Sequence, residues 1–462
     1  MTPLPLSLTN SPKNGRMPKQ INPKLFPNYS ERRVVDRHMS ELDTHGISRR
    51  DFLRLASAGA VASATAVSLG IPSVAIADPT GKMAHLMMTL RLEYVVNADA
   101  GAHGAATALG LNITSLDGQL DSERQLNQFE QEVTSGVQAV MVHAPGGGSI
   151  KRIAQLANEN KVWFDNTWGT LPWFTPFDAG EYYTLYAVPE EFSAHRAVTA
   201  EVCKAVVAKD GGGNIVGVTG VEGNSTDLIR SRGRDNALKD FPKVKLVGEL
   251  PGKWNREDSQ KAMEDLLARY KDIFGVVAQN DDVADGCIAA LRAGGLKPGE
   301  DVFLSGADGT TNGAQMIKQG RLLATSANVP AYMGALLTTR LYDVLHGWRP
   351  RASERLMSWR SITMTKTNVD AYLARYVNNG DVPPFDYQKM SKVEHPNDWD
   401  PQAELFPLDI DLEWGGIPKP PGWIYPAEYT KARDSGEALA VKEEYAAHYK
   451  IDFFGPSPLK KA

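Results

Sequence analysis

The segment 273–309 most narrowly limits what this 462-residue chain can fold into. Its first apolar run is followed by a polar cluster that contains Asn280, and a helix-period segment then spans residues 283–293. A second apolar run ends in polar residues that include Asp308. Short apolar runs separated by a helix are typical of buried parallel strands. Because ligands bind outside the carboxyl ends of such strands, we expect Asn280 and Asp308 at the edge of one crevice.

The same alternation of strands and helices extends in both directions along the chain. The first series comprises strands at 85–90, 112–116, 139–143 and 162–165 and helices at 98–109, 122–135 and 149–159. After an aromatic linker at 167–188, the second comprises strands at 214–219, 245–250, 273–278, 302–304 and 323–327 and helices at 193–208, 227–240, 256–270, 283–293 and 313–319. This alternation indicates βαβ units. We predict an α/β fold of two doubly wound parallel-sheet lobes with a cleft between them.

Composition argues against nucleic-acid binding and against a disulfide. Residues 1–77 carry ten Lys or Arg against five Asp or Glu, which leaves 40 basic and 50 acidic residues in the rest of the chain. Such an acidic body without a basic block is a poor candidate for binding nucleic acid. Cys203 and Cys287 both lie in apolar helical patterns, which favours buried free thiols over a disulfide.

The N-terminal segment is similar to an export signal. Arg49 and Arg50 precede an Ala/Ser/Gly-rich apolar run and a small-residue cleavage pattern that ends at Ala77. This order resembles a twin-arginine signal peptide. Residues 1–47 form an unusually long lead before it, which a start codon downstream of Met1 would explain. A buried N-terminal helix is the alternative. We expect export by the twin-arginine translocase, cleavage after Ala77 and a mature protein in the periplasm.

Several stretches along the second series occur in the order and spacing of a known family. They are IRSRG (229–233), AQND (278–281), GADGT (306–310), LATSANVP (323–330) and MSWRSIT (357–363). Together they resemble the ribose-type family of type I periplasmic sugar-binding proteins over roughly residues 82–378. The resemblance implies a three-crossing hinge between the lobes, with crossings near Ala187, Asn328 and Pro350, and one sugar bound in the cleft.

The resemblance also implies a set of ligand-binding residues. Planar polar side chains would hydrogen-bond pairs of hydroxyls, and aromatic rings would stack on the apolar faces of the sugar. The implied residues are Tyr94, Asp165, Asn166, Arg232, Trp254, Asn280, Asp308 and Asn328. The family's Asn-rich first loop is replaced here by Leu90-Arg91-Leu92-Glu93, and Asn166 stands where ribose binders have an arginine.

Ordinary structural roles compete for the same residues. Asp308 before Gly-Thr is also typical of a turn or a helix cap. Asp281 or Asp282 could cap the helix at Val283, which leaves Asn280 for the ligand. Arg232 could form a surface ion pair, and Trp254 could be a rim or core residue. His143, at the end of a strand, is the histidine best placed to touch a ligand, although a core histidine is the more common role.

The signal pattern, the resemblance and the segment beyond it together predict a division of the chain into four parts. These are a leader at 1–77, a first lobe at 82–187 plus 328–350, a second lobe at 188–327 plus 351–378, and a Pro/Trp-rich extension at 379–462. The extension could form an oligomer contact or a lid over the cleft.

The resemblance further implies a non-enzymatic receptor that delivers a monosaccharide or polyol to an ABC-transporter permease. A sensor component that presents the sugar to a chemoreceptor or sensor kinase is the alternative. The nine histidines are scattered and no nucleophile motif is present. The sequence therefore predicts no catalytic residue, metal site or cofactor.

Overall fold

A computed structural model describes residues 81–460. The strands there are β1 (Lys82–Met87), β2 (Asn112–Asp117), β3 (Ala139–His143), β4 (Trp163–Thr167), β5 (Tyr183–Pro189), β6 (Gly213–Thr219), β7 (Val244–Pro251), β8 (Ile273–Ala278), β9 (Phe303–Asp308), β10 (Ala324–Ala327), β11 (Leu356–Trp359), β12 (Ile362–Thr365) and β13 (Leu405–Pro407). The predicted leader, with Arg49, Arg50 and the cleavage after Ala77, lies outside these residues and stays a prediction.

Helices connect most of these strands. They are α1 (Glu93–Ala108), α2 (Ser122–Thr134), α3 (Ile150–Asn160), α4 (Glu191–Asp210), α5 (Ser225–Leu238), α6 (Arg256–Arg269), α7 (Asp281–Ala293), α8 (Thr311–Lys318), α9 (Pro330–Leu345), α10 (Val369–Tyr376), α11 (Tyr387–Met390), α12 (Ile410–Trp414), α13 (Ala427–Asp434) and α14 (Glu437–His448). Within residues 81–460, none of them is long and apolar enough to cross a membrane.

The strands form two sheets with the same winding. The first has the order β13-β11-β5-β4-β3-β1-β2, and the second has the order β12-β10-β9-β8-β6-β7. In each sheet the first two strands of the chain lie at one edge, with the second strand outermost, β2 in one sheet and β7 in the other. The later strands are added on the opposite side of the first strand, which is the doubly wound pattern. Every residue of β3 is buried, as expected for a strand covered on both faces. The predicted two-lobe α/β fold is confirmed.

The chain crosses between the sheets at three places. The first lies between β5 and α4, the second between β10 and α9, and the third between β11 and β12. Leu356–Trp359 pairs in parallel with β5 of the first sheet, so the predicted third crossing near Pro350 is wrong. The assignment of 351–378 to the second lobe is corrected accordingly, because β11 is a buried central strand of the first lobe and the chain leaves it only after Trp359.

The predicted aromatic linker at 167–188 is also corrected. Its last part is β5, whose seven residues are all buried between β4 and β11. The two cysteines are free and buried, as predicted.

The extension that follows α10 packs against both lobes. Its strand β13 pairs with β11 at the edge of the first sheet. On the second lobe, the backbone oxygen of Leu412 accepts a hydrogen bond from Arg232 at 2.9 Å, and that of Asp452 accepts one from Arg375 at 2.6 Å. Near its end the extension forms the two helices α13 and α14, and the chain turns between them at Gly436, which has a φ of 81°.

Candidate functional site

A cavity lies between the two sheets, at the carboxyl ends of their parallel strands. The loops after β1, β3 and β4 form one wall, whose side chains include Met88, Leu92, Tyr94, Val95, His143 and Trp168. The loops and helix starts after β6, β7, β8 and β9 form the other, whose side chains include Asn224, Thr226, Arg230, Trp254, Asn280 and Asp308. This is the position at which doubly wound sheets bind ligands. No residue of 379–460 is among those that line the cavity, so the part of the extension that the structure describes is not a lid over it.

The first wall is largely apolar and aromatic. Tyr94 projects from the first turn of α1, and its hydroxyl accepts a hydrogen bond of 3.1 Å from the indole of Trp168. The two rings meet edge to face, with their centroids 6.0 Å apart. The Tyr94 hydroxyl in turn donates to the sulfur of Met333 at 3.6 Å, so this wall presents mainly ring and alkyl surfaces to the cavity.

The second wall is organised around Arg230. Its Nη2 donates to Asp308 at 3.1 Å, its Nε donates to Glu191 at 2.7 Å, and its Nη1 donates to the backbone oxygen of Gln279 at 2.5 Å. Burial opposes the positive charge, but the carboxylates of Glu191 and Asp308 outweigh it and raise the pKa of Arg230. Burial raises the pKa of Asp308, although Arg230 acts in the opposite direction. A fixed guanidinium and a carboxylate thus stand side by side at the cavity.

Three of the residues that line the cavity have backbone conformations that ordinary side chains rarely adopt. The φ angles are 50° for Trp168, 57° for Trp254 and 97° for Asp308. Each such conformation costs about 1–3 kcal/mol, and such costs concentrate at functional sites. Gly220 makes room for one of them, since a Cβ there would lie 2.2 Å from the indole nitrogen of Trp254. The fold therefore holds these three side chains at the cavity despite local strain.

Four of the predicted site residues meet at this cavity: Tyr94, Trp254, Asn280 and Asp308. Asn280 has a second role, because its Oδ1 accepts the backbone N–H of Val283 at 2.8 Å and thereby caps α7. The predicted capping by Asp281 or Asp282 is therefore wrong. Asp281 instead accepts a hydrogen bond of 2.8 Å from the backbone N–H of Thr310.

Asp165 and Asn166 are not among the residues that line the cavity. The predicted strand ends at 165, but β4 runs to Thr167, so both residues lie within the strand and alternate between its two faces. Both side chains are fully buried, and neither carboxylate oxygen of Asp165 has a hydrogen-bond partner within residues 81–460. Burial raises the pKa of Asp165 well above its usual range. Trp168, which follows the actual end of the strand, occupies the position at the cavity.

Arg232 also lies away from the cavity. It projects toward the extension, where Nη1 donates to the backbone oxygen of Leu412 at 2.9 Å. Residues two apart on a helix point about 200° away from each other, so Arg230 and Arg232 cannot share one face of α5. The buried positions of α5 include Asp227, Arg230 and Arg234, at a helical spacing. That spacing is present in the sequence and would have favoured Arg230.

Asn328 lies at the second crossing, where the resemblance placed it, but it does not line the cavity. Its backbone oxygen accepts a hydrogen bond of 2.9 Å from the indole of Trp359, and its Nδ2 donates to Glu191 at 3.4 Å. It therefore links the second crossing to the start of α4 and to the end of β11. Trp168, Glu191 and Arg230 are the functional candidates that the sequence did not identify.

His143 does line the cavity, as its position at the end of β3 suggested. It is almost completely buried, and that burial, together with the nearby His85, lowers the pKa of His143 to about 3. The imidazole is therefore neutral near pH 7, and it adds no charge to the first wall.

Comparisons with known proteins agree with this architecture. The family described as "Periplasmic binding protein domain" matches residues 84–348. The ribose import binding protein of Salmonella typhimurium is 26% identical over 292 residues, which cover 63% of this chain and 93% of that protein. The xylitol-binding protein of Mycolicibacterium smegmatis is 26% identical, with coverage of 58% and 74%.

Solved structures show the same fold. A twin-arginine translocation pathway signal protein from Burkholderia phytofirmans matches with a TM-score of 0.59 and 24% identity, over 65% of this chain and 94% of that one. A solute-binding protein from Actinobacillus succinogenes with bound D-allose has a TM-score of 0.58 and 19% identity, over 63% of this chain and 100% of that one. The chain therefore belongs to the family of type I periplasmic binding proteins.

Proposed function

We propose that this protein is the sugar- or polyol-binding receptor of an ABC importer. The observation that carries the proposal is the pairing of an aromatic wall with a wall that holds Arg230 and Asp308 side by side. A sugar ring has apolar C–H faces and a polar edge of hydroxyls. Flat rings match its faces, and a guanidinium next to a carboxylate can donate to and accept from neighbouring hydroxyls.

The relatives support a ligand of this chemistry. The names of two of them refer to ribose import and to xylitol binding, and both are more than one quarter identical to this chain. In this proposal Tyr94, Trp168 and Trp254 supply the stacking surfaces, while Arg230, Asn280 and Asp308 supply the hydrogen bonds. Arg230 takes the place of Arg232 in the site expected from the sequence. Asn328 contacts Glu191, which is the partner of Arg230.

The proposed receptor works by closing its two lobes on the ligand. The walls already meet across the cavity, because the Arg230 guanidinium lies 5.8 Å from the Trp168 ring, and Glu93 of α1 accepts a 2.7 Å hydrogen bond from the backbone of Thr311 at α8. Neither lobe alone offers both faces and hydroxyl partners, so ligand favours the closed arrangement. A permease can then distinguish loaded receptor from empty receptor.

A binding screen tests this function. The mature chain is titrated with aldopentoses, aldohexoses and pentitols, and thermal unfolding and calorimetry are measured. We expect one sugar or polyol to bind, with a stabilisation of about 2.7 kcal/mol at one hundred times its dissociation constant. Uptake of that compound should be lost when the gene is deleted, whereas a pure sensor would leave uptake intact. Failure of every sugar and polyol to bind would refute the proposal.

Export is proposed on the sequence alone. Replacement of both Arg49 and Arg50 by Lys keeps the charge but changes the twin-arginine pattern, so uncleaved precursor should accumulate in the cytoplasm. Cell fractionation measures this. Normal amounts of mature protein in the periplasm would contradict the assignment of the twin-arginine pathway.

A further inference from the structure

A chain of buried hydrogen bonds connects the cavity with the crossings between the lobes. Arg230 contacts Asp308 at the cavity and donates to Glu191 at 2.7 Å. The other carboxylate oxygen of Glu191 accepts from Asn328 Nδ2 at 3.4 Å, and the backbone oxygen of Asn328 accepts from the indole of Trp359 at 2.9 Å. These five residues form one connected path.

The path reaches all three crossings. Glu191 is the first residue of α4, immediately after the chain leaves the first sheet. Asn328 lies in the second crossing, next to Val329, whose φ of 52° marks a sharp turn of the backbone. Trp359 is the last residue of β11 and precedes the third crossing. Glu191 is therefore the group through which the cavity and the hinge are joined.

The position of Glu191 is restricted by its burial. The exposed fraction of its side chain is 2%, and that of Arg230 is 3%. A buried carboxylate is tolerated when it is paired and hydrogen-bonded, so Glu191 and Arg230 must stay together. A change in the position of the guanidinium is thus passed to the carboxylate rather than absorbed by solvent.

We propose that Glu191 is a positioning residue that couples occupancy of the cavity to closure of the lobes. This inference rests on the proposed function, and it adds a route by which the binding of a sugar is communicated to the hinge. Hydroxyls that bind Arg230 and Asp308 hold the guanidinium in one place. Glu191 then holds the crossing segments in the geometry of the closed state. The ligand therefore binds the closed state more tightly than the open state, and this difference in affinity shifts the equilibrium toward closure.

Glu190 provides a matched control. It is the neighbouring residue, it carries the same carboxylate, and the exposed fraction of its side chain is 7%. Its carboxylate accepts hydrogen bonds from the backbone of Ser193 at 3.0 Å and from Arg360 at 2.9 Å. It thus contacts the first and third crossings without contacting Arg230. Of these two neighbouring carboxylates, Glu191 is the one that joins the crossings to the cavity arginine.

The experiment compares Glu191→Gln, Glu191→Asp and Glu190→Gln in the full mature chain, with the sugar or polyol that binds the unmodified protein. Calorimetry gives the dissociation constant, and solution scattering gives the decrease in radius of gyration at saturation. Glu191→Gln should bind about 10-fold more weakly, as expected for the loss of one charged hydrogen bond, and should close incompletely even at saturation. Glu191→Asp keeps the charge and should recover part of the closure. Glu190→Gln should bind within about 2-fold of the unmodified protein and close fully.

Several outcomes would overturn the proposal. Complete closure of saturated Glu191→Gln would show that the carboxylate does not couple the sites, and so would an equal defect in Glu190→Gln. If both Glu191 variants fail to fold while Glu190→Gln folds, the carboxylate has a purely structural role. Failure of the unmodified protein to bind any sugar or polyol is a different result, because it refutes the proposed function itself.

Discussion

The two walls of the cavity differ in the kind of interaction that they can offer. The first wall places rings and alkyl groups at the cavity, where Trp168 donates to Tyr94 and Tyr94 donates to Met333. The second wall places a buried guanidinium and a carboxylate there. Both walls hold a ring, since Trp254 lies on the second, but only the second wall holds a charged pair that can direct hydrogen bonds. We expect hydroxyl recognition, and most of the sensitivity to substitution, to reside in the second lobe.

The difference has a structural cause. On the second wall, Arg230 extends from the buried side of α5. It contacts both Asp308 at the end of β9 and Glu191 at the start of α4. Its three nitrogens all have protein partners, and these partners aim the guanidinium at the cavity. On the first wall, Tyr94 and Trp168 are held by ring packing, which sets a surface rather than a hydrogen-bond direction.

The largest effect is expected from Arg230→Lys. The charge is kept, so Asp308 and Glu191 stay neutralised, but the forked geometry that binds two acceptors at once is lost. The dissociation constant of the sugar should rise about 10- to 100-fold, which corresponds to the loss of one or two hydrogen bonds to a charged group. Calorimetry at constant temperature measures this.

Arg232→Lys is the matched control on the same helix. Arg232 contacts the extension at Leu412, so its replacement should leave sugar affinity within about 2-fold of the unmodified protein. Equal losses of sugar affinity in the two variants would contradict the proposal that Arg230, and not Arg232, binds the ligand. A loss confined to Arg232→Lys would restore the site expected from the sequence.

A smaller effect is expected from Trp168→Leu on the first wall. The change keeps an apolar side chain but removes the stacking surface and the hydrogen bond to Tyr94. Because aromatic contacts contribute about 0.5–1.5 kcal/mol beyond their buried area, affinity should fall about 3- to 10-fold. Trp163, at the other end of β4, is the control, since Trp163→Leu should leave affinity unchanged. A loss after Trp168→Leu larger than that of Arg230→Lys would reverse the comparison between the walls.

The fold was accessible from the sequence because it depends on repeated local patterns. Apolar runs such as 273–278 and the helical segments between them specify buried strands and amphipathic helices wherever they occur. Asn280 and Asp308 were also found, since each lies within a few residues after such a run. The carboxyl-end rule then places them at the cavity without knowledge of the tertiary structure.

The remaining errors arise where tertiary contacts decide. The end of β4 depends on pairing with β3 and β5. Because the strand ends two residues later than predicted, Trp168 and not Asp165 lies at the cavity. The sheet to which Leu356–Trp359 belongs is likewise set by long-range pairing. Glu191 is identified only through its contact with Arg230. The choice of Arg232 over Arg230 is different, because helical periodicity alone argued against it.

The pH dependence of the free energy of unfolding should report on Asp281, a buried carboxylate next to the second wall. Burial, with the nearby charge of Asp308, raises the pKa of Asp281 to about 8, whereas an unfolded aspartate titrates near a pKa of about 3.9. The folded state therefore holds this proton more tightly, and its contribution to stability is present in acid and is lost as the pH rises through about 8.

Chemical denaturation of the unmodified protein and of Asp281→Asn at several pH values tests this sign. The free energy of unfolding of the unmodified protein should fall relative to that of the variant between about pH 5 and pH 8. A difference between the two proteins that does not vary with pH would show that Asp281 is ionised throughout that range. The second wall would then carry one more negative charge than we infer.

The smallest effect is expected from His143→Gln on the first wall. Because burial and His85 lower the pKa of His143 to about 3, the ring stays neutral from about pH 5 to pH 8 and gives the wall no titrating charge there. Glutamine keeps a polar group of similar reach, so affinity should change less than about 3-fold. The dependence of sugar affinity on pH should be the same in both proteins. If the substitution instead removed a titration between pH 6 and pH 7, His143 would be charged at the cavity. Directional electrostatic recognition would then belong to both walls, and the contrast between an apolar first lobe and a charged second lobe would not hold.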